Sequence, residues 1–236
     1  DVLKDEFNGE ATASKLARVR EQMEKEEAQY HIISTLDDIA WILNVRGNDI
    51  PHVPVVLSFL VIGKEDAMWF VEENALSDAV KEMAAECGIT IRPYEDVYAY
   101  AATIPEHSTV LLDKRKVNYR ITNALSETVH IVSKANPSQL MKAIKNEIEL
   151  ENTRKAHLLD GIAVTKFMYW LKKNVGKIPM DEVSVSDYLQ SLREQMEGYR
   201  DISFDTIAGY NANAAMMHYK AEPDTAAKLA TGYAFS

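Results

Sequence analysis

At 236 residues the chain has room for one large domain or two small ones, and an apolar content of 47% is enough to build a core for either. A net charge of −10 argues against nucleic acid as a partner, because neutralising phosphates needs clustered Lys and Arg. The single cysteine, Cys87, excludes an internal disulfide or a multi-cysteine metal site, and no run of about 18 apolar residues is present to cross a membrane.

The opening residues, DVLKDEFNGEATASK, lack the basic-then-apolar layout of a secretion signal, so cytoplasm is the default expectation. They also lack Met, which suggests a start inside a longer protein. Residues 15–27 read as an amphipathic helix with Leu16, Val19 and Met23 on one face, and 29–34 as a short strand.

Residues 35–54, TLDDIAWILNVRGNDIPHVP, come next. Leu36, Ile39, Ala40 and Leu43 recur at i, i+3, i+4 and i+7, the spacing of a buried helical face. Thr35 and Asp38 fit a capping box. Gly47 is read as the left-handed residue that ends the helix, and Asn48-Asp49 with Pro51 cannot prolong it. The short helix thus delivers Arg46, Asn48, Asp49 and His52 onto a tight polar loop before the apolar run 55–62. Polar groups between a helix and a core strand are common at binding sites. On the residues alone, a well-made turn accounts for them equally.

Strands are expected at 55–62 and 67–72, joined by the hairpin-type link Gly63-Lys64-Glu65-Asp66. A helix over 75–87 ends at Gly88, with Cys87 beside it as a small hydrophobe. Strands at 89–92, 109–113 and 129–133 alternate with helices at 95–103 and 119–126. The alternation predicts an α/β domain, largely parallel with one antiparallel hairpin. Composition changes at Ala135-Asn136-Pro137, the expected domain boundary. Helices follow at 138–145 and 147–174, the longer one with Leu159, Ala163, Phe167, Trp170 and Leu171 on one face. Ser184 and Asp187 suggest a second capping box, opening a helix with Val185, Leu189, Leu192 and Met196 inward. Residues 202–207 read as a strand with Phe204 and Ile207 in the core.

The sequence has no P-loop, GxGxxG, HExxH or nucleophile-elbow serine. Its six histidines are scattered. His31 and His130 fall in strands, where a structural role is the commoner one, His107 lies in a loop beside Glu106, and His157 is on the long helix. His218 closes SFDTIAGYNANAAMMHY, residues 203–219, after a small-residue loop carrying Asn211 and Asn213. By spacing alone this is a hairpin whose histidine faces a neighbour.

The run DDIAWILNVRGNDIPHVPV followed by SFLVIG resembles the middle domain of the cytosolic Xaa-Pro aminopeptidases (aminopeptidase P), of the creatinase/methionine aminopeptidase superfamily. The order of Trp41, Asn44, Arg46-Gly47, Asp49 and Pro54 carries the likeness. SFDTI…NAAMMHY is similar to the start of that family's catalytic domain, the pita-bread fold. The resemblance implies a creatinase N-terminal-like mixed sheet with flanking helices over 1–136, and the first helices and hairpin of a pita-bread (α+β) domain over 137–236. It implies that His218 lines the substrate pocket and assists proton transfer and carbonyl polarisation. Ala214 departs from the Gly that usually follows the Asn there.

Family members hold two divalent metal ions, manganese by resemblance, on two Asp, one His and two Glu. The resemblance places all five downstream of this hairpin, after Gly232-Tyr233-Ala234-Phe235-Ser236. No residue here is assigned as a metal ligand, so this segment alone is expected to be inactive and to bind no metal. The implied substrates are peptides with Xaa-Pro N-termini, and the implied assembly is a homodimer. Two alternatives stay open: a non-catalytic peptide- or protein-binding homologue of the same fold, and a prolidase-like dipeptidase.

Overall fold

The structure, a computed structural model, describes residues 1–231. The chain divides into two compact units, Asp1–Leu150 and Glu151–Ser236. The first contains the helices α1 (Asp5–Asn8) and α2 (Thr12–Lys25), the strand β1 (Tyr30–Ile33), the helix α3 (Leu36–Ile42) and the hairpin β2 (Ser58–Gly63) and β3 (Ala67–Val71). It continues through α4 (Asp78–Glu86), β4 (Ile89–Arg92), α5 (Asp96–Thr103), β5 (Thr109–Leu112), α6 (Tyr119–Ala124), β6 (His130–Ser133) and α7 (Pro137–Ala143).

The six strands form one sheet in the order β4-β3-β2-β1-β5-β6. Three pairings are parallel, β1 with β5, β5 with β6 and β3 with β4. Two are antiparallel, because β1 runs against β2 as well as β2 against β3. The sequence pattern predicts only the second. The chain leaves β1 through α3 and a loop and returns in β2 alongside it, which makes that pairing antiparallel too.

All six residues of β2 are buried, and alternate residues face opposite sides of the sheet. Ile33, Leu60, Ile62, Trp69, Val71 and Leu111 pack with α2, α3 and α4. Ile32, Phe59, Val61, Phe70, Val110 and Leu112 pack with α5 and α6. A sheet covered on both faces has no polar side to display, so its central strands read as continuous apolar runs. Full burial of each large aliphatic side chain contributes about 1.5–3 kcal/mol, which makes this two-sided core the main source of stability in the unit.

Local corrections concern helix ends. Thr35 makes no side-chain cap; its hydroxyl donates to the Asp38 carboxylate at 2.5 Å instead. The left-handed residue after α3 is Asn44, at φ 53°, not Gly47. Gly47 is required by close approach: a Cβ there would lie 2.6 Å from Val56 Cγ2 and 2.7 Å from the Val55 carbonyl oxygen.

The second unit contains α8 (Glu147–Asn174), whose first turn belongs to the first unit, and α9 (Glu182–Glu194). Its core joins Ala163, Phe167, Met180, Val185, Leu192, Ala208, Tyr210 and Leu229, and Trp170 stacks on Tyr188 with ring centroids 3.9 Å apart. The capping box of α9 lies three residues earlier than expected. Asp181 accepts from the Ser184 backbone N–H, and the Ser184 hydroxyl accepts from the Asp181 N–H. Residues 202–207 form no strand, and Phe204 and Ile207 are 66% and 50% exposed rather than in a core. A strand exists through its ladder, and no described residue pairs with this segment. Residues 232–236, expected from the sequence to lie just before a further strand, are outside the described residues.

Candidate functional site

Two polar turns stand out in the sequence, one in each unit. The first follows α3. Asn44 takes the left-handed conformation, its amide donates to the Glu10 carbonyl at 2.8 Å, and its carbonyl oxygen accepts from Lys15 Nζ at 2.6 Å. Lys15 is 1% exposed, also donates to the Trp41 carbonyl at 3.0 Å, and lies 4.4 Å from the centre of the Trp41 ring. Burial pulls its pKa down to about 8, with partial compensation from Glu149 and Glu10. The Arg46 guanidinium turns inward and donates to the carbonyls of Ala40 and Val45. The Asp49 carboxylate accepts from the Leu57 N–H at 2.7 Å. Arg46, Asp49 and Asn44 therefore satisfy backbone and buried groups of their own neighbourhood. Asn48 is exposed, and His52 takes a left-handed conformation at φ 64°.

Behind this loop, buried Asp38 accepts from Thr35, from Asn136 Nδ2 at 3.1 Å and from Lys142 Nζ at 2.8 Å. Lys142 also pairs with Asp37. One carboxylate thus ties α3 to α7. His31 is fully buried on β1, where its Nδ1 donates to the Leu111 carbonyl at 2.9 Å, and burial drives its pKa down to about 4. His107, His130 and His157 are exposed.

The second turn carries His218. The segment after Tyr210 makes a 3-10 turn over Asn211–Ala215 and returns through Met216 and Met217. His218 is exposed, stands at φ 57°, and follows Met217, which is 91% exposed. Among the described residues no hydrogen bond to its ring is found. A non-glycine residue in this region is uncommon and persists only where its surroundings hold it there.

Those surroundings centre on Glu182, the first residue of α9, which is 0% exposed. One carboxylate oxygen accepts from the Tyr210 N–H at 2.6 Å, and the other from the Ala227 N–H at 2.8 Å and the Tyr219 hydroxyl at 2.6 Å. Asn213 Nδ2 lies 3.1 Å from both oxygens and 2.9 Å from the Tyr219 oxygen. Burial alone would raise the Glu182 pKa, but the donors, Tyr219 foremost, bring it below its ordinary value. The same bond pushes the Tyr219 phenol up to about 12. The sequence motif singles out Asn213 and Tyr219 but not Glu182. An acid in the first turn of a helix ordinarily faces solvent and complements the helix dipole, so nothing in the local pattern marks this one as buried.

The arrangement leaves an unengaged imidazole at the edge of a turn whose base is fixed. Such a ring can exchange a proton with any group that comes within hydrogen-bond distance of that edge. Among the described residues no group of three or more His, Cys, Asp or Glu is arranged to hold a metal ion.

Residues 1–149 match the Creatinase/Prolidase N-terminal domain, and residues 151–234 match Metallopeptidase family M24. The chain is 35% identical over 232 residues to a Neurospora crassa protein named "Probable Xaa-Pro aminopeptidase P", covering 94% of this chain and 34% of that protein. It is 35% identical over 234 residues to Xaa-Pro aminopeptidase 1 of Dictyostelium discoideum, covering 98% of this chain and 37% of that one. The solved X-prolyl aminopeptidase of Caenorhabditis elegans, described as a cytosolic enzyme with a di-nuclear active site, superimposes with a TM-score of 0.92 at 28% identity. That match covers all of this chain and 39% of the other. The chain thus spans little more than a third of the length of these relatives. By the match over 1–149, the chain belongs to the creatinase/prolidase N-terminal domain family, and it continues into a metallopeptidase M24 match.

Proposed function

We propose that these residues serve a metal-dependent aminopeptidase that removes the N-terminal residue from peptides with proline in second position. The observation that carries this reading is the likeness along the entire chain to the C. elegans X-prolyl aminopeptidase. The local geometry suits it, since His218 stands exposed on a fixed turn. A tetrahedral intermediate places negative charge on the former carbonyl oxygen, and the departing proline nitrogen must gain a proton. An imidazole can stabilise the first by donating a hydrogen bond or relay a proton to the second. His218 is the residue to which we assign both catalytic assistance and substrate contact.

We further propose that the complete protein holds two divalent cations, manganese in particular, that it works in the cytoplasm, and that it assembles as a homodimer. The reading is tested by following release of the first residue from an Xaa-Pro peptide and its Xaa-Ala counterpart by the full-length protein supplied with Mn²⁺. Proline-dependent release is expected, and equal or absent release overturns the reading. Calorimetry on residues 1–236 alone is expected to show no tight Mn²⁺ or Zn²⁺ binding and no peptide cleavage. A stoichiometric micromolar two-ion site would overturn the expectation that the ligands lie elsewhere.

A further inference from the structure

We infer that Glu182 is the positioning residue for His218, holding the turn that presents its imidazole to substrate. The inference rests on the reading of His218 above. The carboxylate reaches both arms of the turn: Tyr210, where the segment leaves the core, and Tyr219, the residue directly after His218. It also takes Asn213 from within the 3-10 turn and Ala227 from the segment beyond. Between these anchors, residues 211, 212 and 215–218 are exposed, so packing does not define their path. A carboxylate only accepts hydrogen bonds, and its partners here are all donors. Charge and acceptor capacity are therefore matched to the four residues it gathers. Among the described residues no other acidic side chain is as fully buried, and Glu182 is 36 residues from His218 in sequence, so the link is purely tertiary.

The left-handed backbone of His218 fits this role. That conformation is unfavourable for a non-glycine residue and needs a fixed point beside it. The fixed point is the Tyr219 hydroxyl, whose oxygen meets both Glu182 and Asn213. Glu182 itself does not approach the exposed edge of the turn, so it acts through His218 and not on substrate.

The test uses the full-length protein and two variants. Glu182→Gln replaces one acceptor by a donor among donors. Tyr219→Phe removes only the hydroxyl link next to His218 and leaves the carboxylate with the Tyr210 and Ala227 N–H groups, which keeps the inference testable if Glu182→Gln fails to fold. Displacing a reacting group by about 1 Å costs on the order of 10²-fold, so Tyr219→Phe is expected to lower kcat by about that factor with KM nearly unchanged. In a His218→Ala background the same change is expected to cost less than about twofold, because its effect runs through the imidazole. With ¹³Cε1-labelled histidine, the His218 signal, identified by its loss in His218→Ala, is expected to shift in Tyr219→Phe. An equal loss of kcat in the His218→Ala background, or an unmoved His218 signal, overturns the inference. If His218→Ala keeps wild-type kcat/KM, the catalytic reading of His218 falls instead. The labelled signal distinguishes the two failures, since it reports the position of the ring without any turnover.

Discussion

The loop 44–49 and the turn 210–219 look alike on paper, each a cluster of Asn and charged or titratable side chains bordering a core element. In the folded chain they are opposites. Asn44 turns inward to the Glu10 carbonyl and Lys15, Arg46 to carbonyls at the end of α3, and Asp49, at the surface, accepts from the Leu57 N–H at the entry to β2. The turn 210–219 is satisfied from outside by one buried carboxylate, and the residue it carries at its edge, His218, is left exposed. A polar residue whose hydrogen bonds close on neighbouring groups of the chain holds the fold. One whose neighbours are held so that it stays unengaged is placed to meet something else.

The largest expected effect breaks the second half of that contrast. His218→Ala in the full-length protein should lower kcat by about 10²–10⁴-fold, the range of general acid–base and oxyanion contributions. Metal content and Tm should stay at wild-type values, measured by elemental analysis and calorimetry. His107→Ala, in an exposed loop of the first unit, serves as control and should change neither. Loss of metal in His218→Ala would make the histidine a ligand and overturn the assignment.

A second experiment concerns the first unit and the boundary at residue 137. We propose that residues 1–136 fold as a self-contained domain, cooperative in denaturant and with near-UV signals from Trp41 and Trp69. Extending the chain to 150 restores Lys142 to the buried Asp38 carboxylate. Asp38 keeps Thr35 and Asn136 in the shorter piece and Lys142 is only partly buried, so the longer piece should gain what one hydrogen bond to a charged group is worth, about 1.5–3 kcal/mol. Equal midpoints would show that the Asp38–Lys142 tie contributes nothing, and a molten 1–136 would overturn the boundary.

Most of the first unit was legible because its signals are local. β4 and α8 fall on the residues that periodicity and the flanking Gly and Pro indicate, and the remaining strands and most helices lie within about three residues of expectation. What was not legible depends on distant partners. The apparent Thr35–Asp38 cap dissolves because Asn136 and Lys142, about a hundred residues away, claim the carboxylate. The segment 202–207 has strand composition, but composition does not supply a ladder partner. For the site, His218 was visible only through the family motif, and Glu182 through nothing local.

The third experiment sharpens the first half of the comparison. Lys15 has a folded pKa near 8 against an unfolded value of 10.5. Between those values the unfolded chain binds more protons than the folded one, so stability rises with pH across the window from about 8 to 10.5. Below it, the folded state carries the full cost of a buried cation, which such a shift sets at about 3 kcal/mol. Lys15→Met should remove this rise when chemical denaturation is compared at about pH 7 and pH 10, either side of most of that window. An identical slope in the variant would mean that the lysine is solvated in the folded protein.

The smallest effect tests why the loop closes where it does. Gly47 lacks a positive φ, so alanine is conformationally tolerable there, and any cost must come from space. The added Cβ meets a backbone carbonyl, that of Val55, at 2.7 Å, and Val56 Cγ2 at 2.6 Å. A side-chain methyl can rotate aside, but the carbonyl can move only if the strand-entry residues 55–57 move with it. The Asp49 bond to the Leu57 N–H opposes that movement. Overpacking of this kind costs about 1–3 kcal/mol, so Gly47→Ala should lower stability by that amount in chemical denaturation. Asp49→Ala releases the strand entry, so combining it with Gly47→Ala should cost less than the sum of the two. Strict additivity would show that the loop and the strand entry are independent, and that the Asp49 carboxylate does not brace the turn.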